Sequence, residues 1–181
     1  MPTLRTVTLY SFDELTDEAK DKAIDKLSDL NVDHSWWDCT YEDAARIGIE
    51  VTEFDTYHLT IDGKLTLSLP ESATAVLREH GKECGTYATA TSCLETYMKA
   101  FRLWLLEQDE DSSGNHTEEA WLRDFSYEDE ANELAEDYRR SILVDYLFML
   151  RDEYEYQTSK DAIVESIQAN EYLFTEDGNL A

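Results

Sequence analysis

SYEDEANELAEDYRRSILVDYLFMLRDEYEY, residues 126–156, contains neither glycine nor proline. Ala131, Leu134, Tyr138, Ile142, Tyr146 and Met149 recur at the roughly 3.6-residue period of an α-helix, so the stretch predicts one amphipathic helix with an inward apolar stripe. Ser126 is placed to cap its start, and Glu128 to Glu130 set negative charge on the positive end of the helix dipole. At ~1.5 Å per residue such a helix spans roughly 45 Å, so other elements must pack along it. Its two halves differ. Glu128, Asp129, Glu130, Glu133, Glu136 and Asp137 crowd the first half, answered only by Arg139 and Arg140. From Ile142 to Leu150 the chain is apolar nearly all round, which predicts burial between layers, with Leu143, Leu147 and Leu150 facing one layer and Ile142, Tyr146 and Met149 another.

Composition bounds what surrounds this helix. With 181 residues, 42% hydrophobic and 12% aromatic, the chain is long and apolar enough for a packed core and reads as a single domain over 1–181. Its 41 carboxylates against 15 lysines and arginines give a net charge of −26, far beyond what solubility asks of a small domain. That field repels nucleic acid and anionic membranes, so direct nucleic-acid binding and membrane association are both expected to be absent. In sequence the excess is lopsided: residues 101–181 hold 22 carboxylates against 6 bases. Three cysteines at irregular spacing do not make a secreted disulfide framework. With no signal-type opening and no 18-residue apolar run, a reducing cytoplasm is the expectation.

Outward from residues 126–156, the alternation RTVTLY over Arg5 to Tyr10 predicts a strand, and Ser11 to Glu14 has the form of a capping box before a helix whose inner face is Ala19, Ala23, Leu27 and Leu30. A second helix is predicted from Asp33 to Ile47, ended by Gly48 and carrying Trp36 and Trp37, of which one faces the core and one a boundary. Ile49 to Phe54 reads as a strand. Alternating apolar residues over 57–69 around Asp62-Gly63 predict a hairpin with its tight turn there. Helices follow at Pro70 to His80 and from Ala90 to Trp104 or Leu105, then the acidic loop QDEDSSGNH, a short helical turn from Thr117 to Phe125, a helix from Ser159 to Ala169, and a closing strand within Glu171 to Asn179 that ends in the turn TEDGN. The fold class is α+β, mainly helical, with a small antiparallel sheet packed against long amphipathic helices.

Chemistry is sparse by comparison. His80, Cys84 and Cys93 are ligand types without the fourth ligand and paired spacing of a zinc site, so no metal and no cofactor is expected. Carboxylate pairs abound, and among 41 acids some pair always stands at a distance suited to acid–base work, which deprives any one of meaning. No phosphate-binding loop, nucleophile elbow, zinc-protease helix or calcium loop is present, and no catalytic residue is assigned. The candidate partner-binding residues are therefore Glu128, Asp129, Glu130, Glu133, Glu136 and Asp137, with Trp36 and Trp37 as the aromatic alternative.

The opening YSFDELTDEAKDKAIDKL, the segment WWDCTYEDAARIG and the ending ANEYLFTEDGNLA resemble a group of acidic proteins encoded by bacteriophages and prophages. That resemblance implies an infected or lysogenic bacterial cytoplasm and no particular site residue. In that setting the acid-rich helix suggests a non-enzymatic inhibitor, of anti-CRISPR or anti-restriction type, that binds a basic DNA-binding or nuclease protein of the host by mimicking DNA. The alternatives are a regulator that engages a non-nuclease protein through an aromatic patch, and a carboxylate-site hydrolase.

Overall fold

A computed structural model of the chain describes residues 6–110 and 118–181, and the side chains of 6–104 and 128–181. Among the described residues there are six α-helices and two two-stranded antiparallel sheets, so the α+β, mainly helical class holds. Contacts group the chain into two compact units, one made of residues 1–37 and 151–181, the other of 38–150. No helix among the described residues is long and apolar enough to cross a membrane.

The first unit begins with β1 (Tyr10–Ser11), paired with β4 (Leu173–Phe174) in the register Tyr10 to Phe174 and Ser11 to Leu173. The predicted strand over Arg5 to Tyr10 is thus cut to its last residue and the one beyond, and the cause lies in the partner. Past Phe174 the chain closes the TEDGN turn: the Thr175 N–H donates to the Asn179 carbonyl at 2.9 Å and the Gly178 N–H to the Thr175 carbonyl at 2.9 Å. The turn carries the chain away from β1 after Phe174, and among the described residues Thr6 to Leu9 run on without a ladder partner. The turn is pinned onto α1 (Asp17–Lys26), since a Cβ on Gly178 would fall 2.2 Å from the Ala19 carbonyl oxygen, and its φ of +76° is one that glycine adopts without strain. Hydrogen bonds from the Thr175 hydroxyl and from Lys22 hold the Asp177 carboxyl down to about 2.

Ser11 and Glu14 do form the reciprocal cap, but over a single 3-10 turn, Phe12–Glu14. The helix starts later, where Thr16 accepts the Ala19 N–H at 3.3 Å. α1 and α6 (Lys160–Ala169), the latter capped by Ser159 as its sequence predicts, enclose a core of Phe12, Leu15, Ala19, Ala23, Ile24, Ile163, Ile167 and Phe174.

In the second unit α2 (Asp38–Arg46) begins after Trp36 and Trp37, which therefore precede the helix rather than ride on it. Gly48, at φ +80°, ends the turn that follows, and β2 (Ile49–Asp55) pairs with β3 (Thr60–Leu65). The hairpin turn is at Thr56 to Leu59, not at Asp62-Gly63. Asp55 Oδ1 accepts the N–H groups of Tyr57 and His58, both at 2.8 Å, and so builds the turn from a side chain. Gly63 instead lies buried within β3 opposite Val51. One residue earlier in the ladder the register slips, leaving Thr52 as a bulge, so that Ile49 and Val51 face inward before it and Phe54 after it. α3 (Leu69–Glu79) opens with the Ser68–Glu71 box and α4 runs Gly85–Glu110, so Gln108 to Glu110 are helical rather than loop. The rest of the acidic segment and Thr117 lie outside the described residues.

α5 (Glu118–Gln157) is one helix in which Ser126 is internal, so the predicted cap does not form and residues 118–125, expected as a separate short turn, are part of the same helix. Its inward series is Tyr138, Ile142, Tyr146 and Leu150, joined by Leu143 and Leu147, all buried. Met149 departs from it at 44% exposed, with Val144 and Phe148 at 45%. The split into two layers also fails, because Leu143 shares one cluster with Ile142 and Tyr146. That cluster gathers Ala44, Ile47, Ile49, Val51, Leu69, Val76, Ala90 and Tyr138, with the half-buried Ile61 and Leu65 of β3 packed against it.

Candidate functional site

Leu134, Ala135 and Tyr138, packed in the core cluster, with the half-buried Ala131 set the inward side of α5 between 128 and 138. At ~100° per residue, Asp129, Glu133 and Glu136 stand opposite that side, with Glu128, Glu130 and Asp137 on its flanks. All six carboxylates are exposed. The structure thus brings the six predicted residues together as one band, but it does not leave them equivalent.

Glu136 is tied down. Arg139, only one-fifth exposed, places Nη2 2.9 Å from Glu136 Oε2, Nη1 3.2 Å from Asp62 Oδ1, and donates to the Gly63 carbonyl at 2.8 Å. The side-chain hydrogen bond between Arg139 and Glu136 holds the Glu136 carboxyl below its ordinary range and pushes Arg139 up. Arg139 is therefore a clamp between helix and hairpin, oriented by Glu136 from one turn earlier on its own helix. Asp137 meets Arg140 at 3.6 Å, with both groups well exposed, an interaction of small worth in water. Glu128, Asp129, Glu130 and Glu133 have no cation within ion-pair distance among the described residues.

The clamp also carries the acidic surface past α5 to a pair that the sequence reading missed. Asp62 lies directly across the ladder from Glu53, both exposed, in an arrangement that destabilises a sheet. The misplaced hairpin turn hid it, for with Asp62 in a turn it has no cross-strand neighbour.

Trp36 and Trp37 do not divide into one core and one surface residue. Both are half-buried, stacked edge to face at 5.7 Å and 81°, and Trp36 also lies 5.7 Å from Tyr154. They form an aromatic cluster in the first unit, away in sequence from the carboxylates.

His80, Cys84 and Cys93 do not converge. His80 has a side chain only 8% exposed, its Nδ1 2.7 Å from Thr86 Oγ1 and its Nε2 3.3 Å from Asp43 Oδ2, which accepts from the Tyr146 hydroxyl at 2.9 Å. Thr86 is 1% exposed, so this line of hydroxyl, imidazole and carboxylate joins α2, α4 and α5 without offering a nucleophile to a substrate. Cys84 is exposed and Cys93 half-buried, its thiol pushed up by burial. Among the described residues no group of three histidines, cysteines or carboxylates is arranged to hold a metal. Comparison with protein families, curated proteins and solved structures finds no match to this chain.

Proposed function

We propose that the chain is a non-enzymatic inhibitor of phage type, acting in the bacterial cytoplasm on a basic, DNA-binding host defence protein, a restriction nuclease or a CRISPR effector, by presenting carboxylates where that protein binds phosphates. One observation carries the reading: Glu128, Asp129, Glu130 and Glu133 stand exposed on a rigid helix with no cation of their own among the described residues. Neighbours at i and i+4 are ~6 Å apart along a helix axis, nearly two rises of a DNA strand at ~3.4 Å each. Like charges at that spacing cost an isolated helix about 0.2–0.5 kcal/mol per pair, a cost the fold meets without structural return.

The variant Glu128→Gln, Asp129→Asn, Glu130→Gln, Glu133→Gln should fold as the parent does, or slightly more stably, and lose protection when co-expressed with a panel of restriction and CRISPR systems scored by phage survival and plasmid cleavage. Glu136 is kept, since its loss would remove the carboxylate that orients Arg139 toward the hairpin and confuse folding with binding. A parent that protects against none of the systems, or a variant that protects equally well, defeats mimicry. A second reading, a regulator docking through Trp36, Trp37 and Tyr154, is favoured by the part of that cluster left open to solvent, with Tyr154 37% exposed. Capture of a partner that persists at high salt would support it, because charge-driven binding is screened and an aromatic interface is not.

A further inference from the structure

The splayed end of the β1–β4 ladder in the first unit is a vacancy of strand shape. Continuing the register would set Leu9 against Thr175, Thr8 against Glu176 and Val7 against Asp177, but the TEDGN turn removes those partners. What remains is an open groove of about 450 Å³ lined by Val7, Thr8 and Tyr10 on one side and Thr175, Glu176 and Asp177 on the other. Thr6 to Leu9 are all exposed, Val7 at 58% and Leu9 at 41%. Among the described residues they make no backbone hydrogen bond to another segment. Natural edge strands are shielded by lysine, proline or inward-pointing charge. This one has none of these between Thr6 and Ser11.

We infer that the segment Thr6 to Leu9 accepts an extended, lysine- or arginine-bearing segment of a partner protein by strand addition at this groove. Main-chain N–H and C=O groups of Thr6 to Leu9 supply the ladder, Val7 and Leu9 take apolar side chains at alternate positions, and the exposed Glu176 carboxylate in the wall, beside an Asp177 that Lys22 already holds, selects cationic ones between them. Charge decides against a second copy of the chain as occupant, because each copy brings −26. The surface is separate from the α5 band and stands or falls without it.

The probe is a short capped peptide alternating lysine and valine, titrated against the full chain with amide NMR shifts and fluorescence anisotropy as readouts. Binding should perturb the amides of residues 6–11. It should weaken at least tenfold when glutamate replaces lysine in the peptide, when alternate peptide nitrogens are methylated, and in Thr8→Pro, which removes one main-chain donor. The methylated peptide leaves the protein untouched, so it decides the matter even if Thr8→Pro disturbs β1. No binding by the parent, equal binding of the acidic or methylated peptide, or a dimer in light scattering at high salt that Thr8→Pro abolishes would each overturn the proposal, the last by naming a second copy as occupant.

Discussion

At position 63 a Cβ would fall 2.6 Å from the Glu50 carbonyl oxygen and 3.0 Å from Leu143 Cδ2. The first neighbour is backbone and cannot turn aside. Gly63→Ala should therefore cost about 1–3 kcal/mol in urea denaturation, the usual range for overfilling a packed site. Adding Leu143→Ala should recover none of the clash with Glu50. Tyr138 makes the second residue-scale prediction. Ser72 Oγ donates to the Ile47 carbonyl at 2.6 Å and so accepts from the Tyr138 hydroxyl at 3.0 Å. Burial pushes that hydroxyl to about 12 against an ordinary value of 10.0. Because the folded value is the higher, the stabilisation is whole below pH 10 and is lost as pH rises from 10 towards 12, where the unfolded tyrosine ionises first. Tyr138→Phe should cost about 1 kcal/mol at neutral pH and flatten part of the alkaline loss of stability followed by circular dichroism. Part remains, since Tyr146 is also raised by burial and by the carboxylate of Asp43.

At the scale of elements, long periodic helices and their local caps were legible in the sequence, and what depends on distant neighbours was not. α3, α6 and the apolar stripe of α5 follow from capping residues and spacing that each segment carries itself. Ser126 misled because a serine three residues before an acid has the same local form inside a helix as at its start, and only continuation to Glu118 tells them apart. Asp62-Gly63 misled for a deeper reason: the glycine answers to Leu143, 80 positions away in sequence, and not to a turn. The β1 strand was shortened because its partner turns away after Phe174, at the other end of the chain. Of the candidate site, the carboxylate band was legible because exposure follows from helical phase. The extension of that band to Asp62 was not, because Arg139 reaches Asp62 and the Gly63 carbonyl only through the fold, whereas its pair with Glu136 lies at i, i+3.

Over the whole molecule the charge is distributed more evenly than the sequence halves suggest. Residues 1–37 and 151–181 hold 16 carboxylates against 6 bases, and 38–150 hold 25 against 9, so the units carry −10 and −16 over 68 and 113 residues. Each unit works against its own field. Raising salt from about 0.1 M to about 1 M shortens the screening length from ~10 Å to ~3 Å, and Tm should rise as repulsion is screened. A fall in Tm in calorimetry would mean instead that surface pairs such as Lys64 with Glu50 at 3.2 Å outweigh the repulsion.

The pairing of β1 with β4 also sets a timetable for synthesis. Tyr10 emerges from the ribosome more than 160 residues ahead of Phe174, on the order of ten seconds or more at the usual pace of translation. Residues 38–150 can be made and collapse within that interval. The first unit has to wait with its hydrophobic residues, Phe12, Leu15 and Ile24 among them, unsheltered on the nascent chain. Its neighbours Asp13, Glu14, Asp17, Glu18, Asp21 and Asp25 keep that waiting segment strongly hydrated, so the acid that burdens the finished fold protects the unfinished one from clumping.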